Sequence, residues 1–234
     1  ATAKPTPVTA SIENRRESPP VDEPSSTSQR SVDPPSVAAS RPNAGSIAAA
    51  PTLEVLQQQV AACMACDELA RTRKQTVFGT GNPNARLCFM GEAPGADEDR
   101  LGEPFVGRSG ELLTKMLAAC RLSRDDVYIL NTLKCRPPGN RNPLPAESEN
   151  CRSFLWRQLE LIDPEFICCL GAVAAQNFLE TDTPIGRLRG RVHEKAGRKV
   201  VCTYHPAYLL RNPSAKKSAW KDLQMLMAEL GIEL

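Results

Sequence analysis

The first fifty residues of this 234-residue chain contain no Leu, Phe, Tyr, Trp, Met or Cys. A stretch without large apolar side chains cannot bury enough surface to offset the entropy of ordering it, and Pro and Ser recur here instead (Pro19-Pro20, Ser25-Ser26, Pro34-Pro35). Residues 1–50 are therefore expected to form a disordered arm. Long apolar runs are missing as well. None reaches the ~18 residues of a membrane span, and the arm has no continuous apolar signal core. Its five basic and five acidic residues are not the acid-poor, Arg-dominated mixture of a transit peptide. These absences argue against secretion, membrane insertion and organelle import, and for a cytoplasmic protein. No internal repeat is evident, which sets solenoids and propellers aside. Histidine is scarce, with two in the chain.

What is present lies in residues 51–234, enough for a single core burying ~70% of the unfolded surface. One folded domain, acting as a monomer, is the expectation. All nine cysteines are in it. An odd count without a secretion signal points to a reducing compartment, where thiols serve as core residues or metal ligands. The formal net charge is only +2, but Arg187 to Lys221 carries ten Lys or Arg against one acid, Glu194. A basic C-terminal third suits a polyanion footprint and equally an ordinary solvated surface.

Helical patterns alternate with short apolar strands. Thr52 can cap a helix with Leu53, Leu56 and Val60 on one face, and Leu87 to Met90 reads as a buried strand stopped by Gly91. Ser109 is expected to cap a second helix, with Leu112, Leu113, Met116 and Leu117 inward. Further strands are expected at 127–130, 166–170 and 199–203, and further helices at 147–161, 172–179 and 215–230. Such alternation requires crossover connections, hence an α/β fold, a mostly parallel sheet covered on both faces. Sites in such sheets lie where loops leave the carboxyl ends of strands. Three loops qualify: 91–110, 131–145 and 204–213.

Cys63-Met64-Ala65-Cys66 is a CxxC, and Cys135 and Cys151 flank a Pro-rich loop. Four thiolates can hold zinc or an iron-sulfur cluster, and spacing alone does not decide between them. Cys88, Cys120, Cys168, Cys169 and Cys202 sit in apolar patterns and read as small buried hydrophobes.

Four ordered motifs carry more information: Gly91-Glu92-Ala93-Pro94-Gly95-Ala96-Asp97-Glu98-Asp99, Gly102-Glu103-Pro104-Phe105-Val106-Gly107-Arg108-Ser109-Gly110, Asn131-Thr132-Leu133-Lys134-Cys135-Arg136-Pro137-Pro138, and His205-Pro206-Ala207-Tyr208-Leu209-Leu210-Arg211. From about residue 53 to the C-terminus the chain closely resembles the family 4 uracil-DNA glycosylases, the iron-sulfur branch of their superfamily. The resemblance implies a three-layer α/β/α fold, hydrolysis of the uracil N-glycosidic bond in DNA, and a [4Fe-4S] cluster on Cys63, Cys66, Cys135 and Cys151. A structural cluster is implied, since the hydrolysis needs no electron.

Roles for the matching residues follow from the chemistry of flipping a base into a pocket that stacks its face and reads its edge. Phe105 offers the stacking face. The Asn131 amide can donate to uracil O4 and accept from N3–H, a pairing cytosine cannot satisfy. His205, by donating to O2, would stabilise charge on the departing base; His193, in no motif, is assigned a structural place. Glu92 is the first choice for the carboxylate that serves the sugar cation or the attacking water, and Glu98 the second. In the larger branch of the superfamily an aspartate stands where this chain has Ala93. Ala93, Pro94 and Gly95 belong to the loop that would face base and phosphate. Leu209 or Leu210 would suit a wedge filling the vacated stack, with Arg211 on a phosphate. One variant branch forms a covalent adduct through a His-containing insertion after the second strand. Residues 136–141 here contain no His, which favours turnover over the alternative of a binding-only or covalent recognition module.

Overall fold

The computed structural model describes residues 44–234. In chain order its elements are α1 (Ala44–Ala48), α2 (Leu53–Ala61), α3 (Asp67–Thr72), β1 (Thr80–Gly81), β2 (Leu87–Gly91), α4 (Ala96–Leu101), α5 (Arg108–Ala119), β3 (Tyr128–Asn131), α6 (Pro145–Ile162), β4 (Phe166–Leu170), α7 (Ala172–Leu179), α8 (Ile185–Leu188), β5 (Val192–Lys195), β6 (Arg198–Thr203), α9 (Pro206–Arg211) and α10 (Lys216–Leu230).

The strands form one sheet in the order β1-β3-β2-β4-β6-β5. The four central strands are parallel, and the edges β1 and β5 pair antiparallel. Every residue of β2, β3 and β4 is buried, as expected where both faces are covered. Alternation of side chains divides the core in two. Cys88, Met90, Leu130, Ile167 and Cys169 pack with Leu155 and Leu159 of α6 and Ala174 and Phe178 of α7. Leu87, Phe89, Ile129, Cys168 and Leu170 pack with Leu113 and Leu117 of α5 and Leu223, Leu226 and Met227 of α10. This is the three-layer α/β/α arrangement, with the five apolar-pattern cysteines fully buried.

Several boundaries differ from the sequence expectation. Residues 1–43 of the expected arm lie outside the described residues, but its last part is folded. Ile47 and Ala50 pack with Leu56, Val60 and Phe154, and Arg157 on α6 donates twice to the Ala50 carbonyl. Domain structure therefore starts before residue 51. Ser109 is not the cap of α5; Gly107 is, and Ser109 lies inside the first turn. The stretch 204–213 is not all loop, because Pro206 at the first helical position starts α9. Thr52 does cap α2, accepting from Val55 N.

Candidate active site

The carboxyl ends of β2, β3 and β6 lead into the three polar loops, and side chains from all three line one cleft of about 380 Å³. Gly91 and Asn131 are register partners at the ends of β2 and β3. A Cβ on Gly91 would collide with Asn131 Oδ1 and lie 2.6 Å from Phe105 Cζ, so glycine here lets the amide and the ring meet.

Phe105 is 6% exposed and has φ of 55°, a left-handed conformation costly for a bulky residue. Its neighbours hold it there. Arg124 donates to the Pro104 and Phe105 carbonyls at 2.7 and 3.1 Å. Glu98 accepts from Gly95 N, Val106 N and Gly107 N at 3.1, 3.0 and 3.1 Å. A Cβ on Gly110 would clash with the Phe105 carbonyl. Both Glu98 oxygens thus help to shape the loop, and the residue also lines the cleft.

Asn131 is 2% exposed, and its Oδ1 is buried without a hydrogen-bond partner. A buried acceptor left unpaired costs about 1–3 kcal/mol unless something supplies a donor. The Asn131 carbonyl is held from behind by Lys134 Nζ at 2.9 Å, which also donates to Phe78 O and Gln158 Oε1. Burial brings the Lys134 ammonium down to about 8.

His205 caps α9, its Nδ1 accepting from Ala207 N at 3.1 Å. The proton of the neutral ring therefore sits on Nε2. Burial, assisted by the Arg211 cation, lowers its pKa to about 4, so the ring is neutral at pH 7. Its centroid is 5.6 Å from that of Phe105. His193, by contrast, lies 2.7 Å from the Leu188 carbonyl, a structural contact. Glu92 lines the cleft half-buried; its carbonyl accepts from Leu133 N at 3.0 Å, while its carboxylate makes no hydrogen bond or ion pair with the described residues, and burial raises its pKa.

Ala93, Pro94, Gly95 and Arg211 also line the cleft. Leu209 does not, and at 1% exposure it is core, packed beneath α9 where the helix turns it toward α5. It cannot act as a wedge. Leu210, 36% exposed, faces out. Sequence reasoning missed Asn140, Arg141 and Asn142, which form a wall, as well as Ser109 and Tyr208. Arg141 donates to both Glu147 oxygens and to Glu68. An Arg in a Pro-rich loop six residues before Glu147 was the available signal.

Cys66, Cys135 and Cys151 share one buried cluster with Leu69 and Leu133. Cys63 joins them through Arg73, which donates to the Cys63 carbonyl at 2.7 Å and to Cys135 Sγ at 3.0 Å. Asn150 Nδ2 is 3.3 Å from Cys66 Sγ. Burial raises the thiols of Cys66, Cys135 and Cys151, the last to about 12. Among the described residues no three His, Cys, Asp or Glu side chains converge as a single-ion site, and no helix is long and apolar enough to cross a membrane.

Residues 78–224 match the model of the uracil DNA glycosylase superfamily. The chain belongs to that superfamily, in its type-4 branch. It is 46% identical over 183 residues to a type-4 uracil-DNA glycosylase of Archaeoglobus fulgidus, covering 75% of this chain and 92% of the relative. A Thermotoga maritima type-4 enzyme is 45% identical over 69% of this chain and 85% of its own. One from Sulfurisphaera tokodaii is 38% identical over 75% and 83%.

Proposed function

We propose that this type-4 chain is a DNA repair hydrolase that flips deoxyuridine out of DNA and releases uracil, leaving an abasic site. The observation that carries the reading is the orphaned Oδ1 of Asn131, buried beside the Phe105 ring. The N3–H of uracil supplies the missing donor, and the Asn131 amide donates to O4. Cytosine, with an acceptor at N3 and a donor at C4, leaves the orphan unpaired.

With the base stacked on Phe105, the neutral His205 donates from Nε2 to O2. As the bond from N1 to C1′ breaks, its electron pair passes into the pyrimidine ring, and the growing negative charge meets a donor already in place, an effect worth about 3–4 kcal/mol. Glu92 provides the carboxylate for the sugar side. It offsets the charge developing at C1′ and orients the water whose oxygen bonds there, while the water's proton leaves through the carboxylate. Leu210 fills the gap in the stack, and Arg211 holds a phosphate. The locally basic segment 187–221 adds to the polyanion footprint.

Cys63, Cys66, Cys135 and Cys151 fit an all-thiolate [4Fe-4S] cluster. What supports the reading is the donor set: Cys66, Cys135 and Cys151 share one buried cluster, and Arg73 ties the Cys63 carbonyl to Cys135 Sγ. When bound, the cluster would supply a covalent tie between the 63–66 turn that joins α2 to α3 and the 135–151 segment rather than a reacting centre. The thiol-rich composition suits a reducing, cytoplasmic setting.

The test is release of free uracil from U:G, U:A and single-stranded oligonucleotides with enzyme below substrate. Many turnovers are expected. A single stoichiometric burst with DNA retained would establish a recognition module instead, and no release from any substrate would overturn the reading.

A further inference from the structure

Beside the uracil pocket is a stack of side chains that the chemistry above does not use. Tyr208 and Tyr204 lie ring on ring, with centroids 5.0 Å apart and planes 28° from parallel. The Arg189 guanidinium lies over the Tyr204 ring at 5.2 Å. Tyr204 therefore packs against both the Tyr208 ring and the Arg189 guanidinium. Arg189 is fixed in turn by Asp222, at 2.9 and 2.8 Å, and by the Ser218 carbonyl at 2.6 Å. Asp222 is buried and also accepts from Thr203 at 2.7 Å, at the end of β6. The stack thus runs from the sheet outward and ends at Tyr208.

Tyr208 is 40% exposed and lines the same cleft as Phe105, Asn131, His205 and Arg211. With one face on Tyr204, its other face is open. An aromatic ring braced from behind, open in front and beside a cation has the chemistry of a base-stacking platform. The uracil itself is taken by Phe105, so the base Tyr208 can reach belongs to the next nucleotide. In a duplex that base stays stacked and paired within its own helix, whereas in an unpaired strand it is free to settle on the ring.

We propose that the outer face of Tyr208 is a stacking platform for the base next to the flipped uracil, and that it serves unpaired strands in preference to duplex DNA. This rests on the glycosylase reading above.

The experiment measures kcat/KM for uracil release from a single-stranded oligonucleotide with one deoxyuridine. Parallel strands carry a baseless tetrahydrofuran on its 5′ or 3′ side, and a U:G duplex completes the set. Wild type, Tyr208→Ala and Tyr208→Phe are compared. Wild type should lose about tenfold when one of the two neighbouring bases is removed. Tyr208→Ala should be about tenfold weaker on the complete strand yet lose less than about twofold on removal of that base, because the partner is already gone. Tyr208→Phe keeps the ring and should keep the sensitivity. On the duplex Tyr208→Ala should cost less than about threefold. The sensitivity to base removal and the strand-to-duplex ratio are each taken within one variant, so a change in folded fraction cancels in both. Equal sensitivity to the neighbouring base in wild type and Tyr208→Ala, or equal losses on strand and duplex, would overturn the platform. Uracil release that ignores both neighbours would sink the platform alone, while no release by wild type would sink the glycosylase reading.

Discussion

His205 offers a test that needs no substrate. Burial and the Arg211 cation bring its pKa from 6.5 to about 4, whereas in the unfolded chain the ring titrates normally. Above pH 7.5 the residue is neutral in both states and contributes nothing. As pH falls through 6.5 the unfolded ring takes up a proton that the folded ring refuses, so stability declines until the folded ring also protonates near 4. At 1.36 kcal/mol per pH unit, that displacement is worth about 3 kcal/mol. The assay is chemical unfolding at pH 7.5, 6, 5 and 4 for wild type and His205→Asn. Wild type should lose about 3 kcal/mol more than the variant over this range, and the difference should level off below pH 4. A direct check is the imidazole proton resonance in NMR, which is simple to assign because His193 is the only other histidine. Arg211→Ala should move the titration back toward 6.5 by removing the nearby cation. A folded pKa at or above 6 for His205, or pH profiles of unfolding that coincide, would refute the argument. The neutral Nε2 donor would then have to be abandoned at mildly acidic pH.

Other outcomes follow from particular contacts. Asn131→Asp replaces a donor with an acceptor in the pocket and should cut kcat/KM on uracil by ~100-fold or more, measured against a cytosine-containing control. Glu98→Gln loses one of two acceptor oxygens that hold three backbone N–H groups; thermal unfolding should show a loss of about 1–3 kcal/mol together with reduced activity. Cys135→Ala or Cys151→Ala should give a colourless protein, whereas Cys169→Ala should stay brown; iron assay decides, and full iron in either of the first two would remove those ligands. Removing residues 44–50 in addition to 1–43 should lower the melting temperature relative to removing 1–43 alone, because Ile47 and Ala50 are buried on the domain.

The central strands and long helices were legible in the sequence because they are made by periodicity. β4 and α7 fall where the apolar pattern places them, since Phe166 to Leu170 is buried on both faces and Gly171 marks the turn. The short elements were not legible. β1 has two residues, and β5 carries the half-polar sequence Val-His-Glu-Lys, so neither has a core pattern to detect. α9 was hidden for a different reason: its start depends on the His205 ring acting as cap, a role histidine composition does not announce. The cleft was legible as three loops, because parallel topology sends them all to one end of the sheet. The different settings of Glu92 and Glu98 were not, since both are acids in one loop, and only the backbone N–H groups around Glu98 tell them apart.

The cysteine corner and the cleft are fastened to each other by more than chain continuity. Arg141 forms part of the cleft wall while gripping Glu68 on α3 and Glu147 on α6. Arg73 joins Cys63 to Cys135, and Asn150 reaches Ala65 and Cys66. Residues 63–73 and 131–151 are therefore a single interlocked part. Anyone transplanting this pocket onto another α/β scaffold would have to carry both segments across, because a graft of the lining residues alone would leave Arg141 without the acidic partners that set its wall upright.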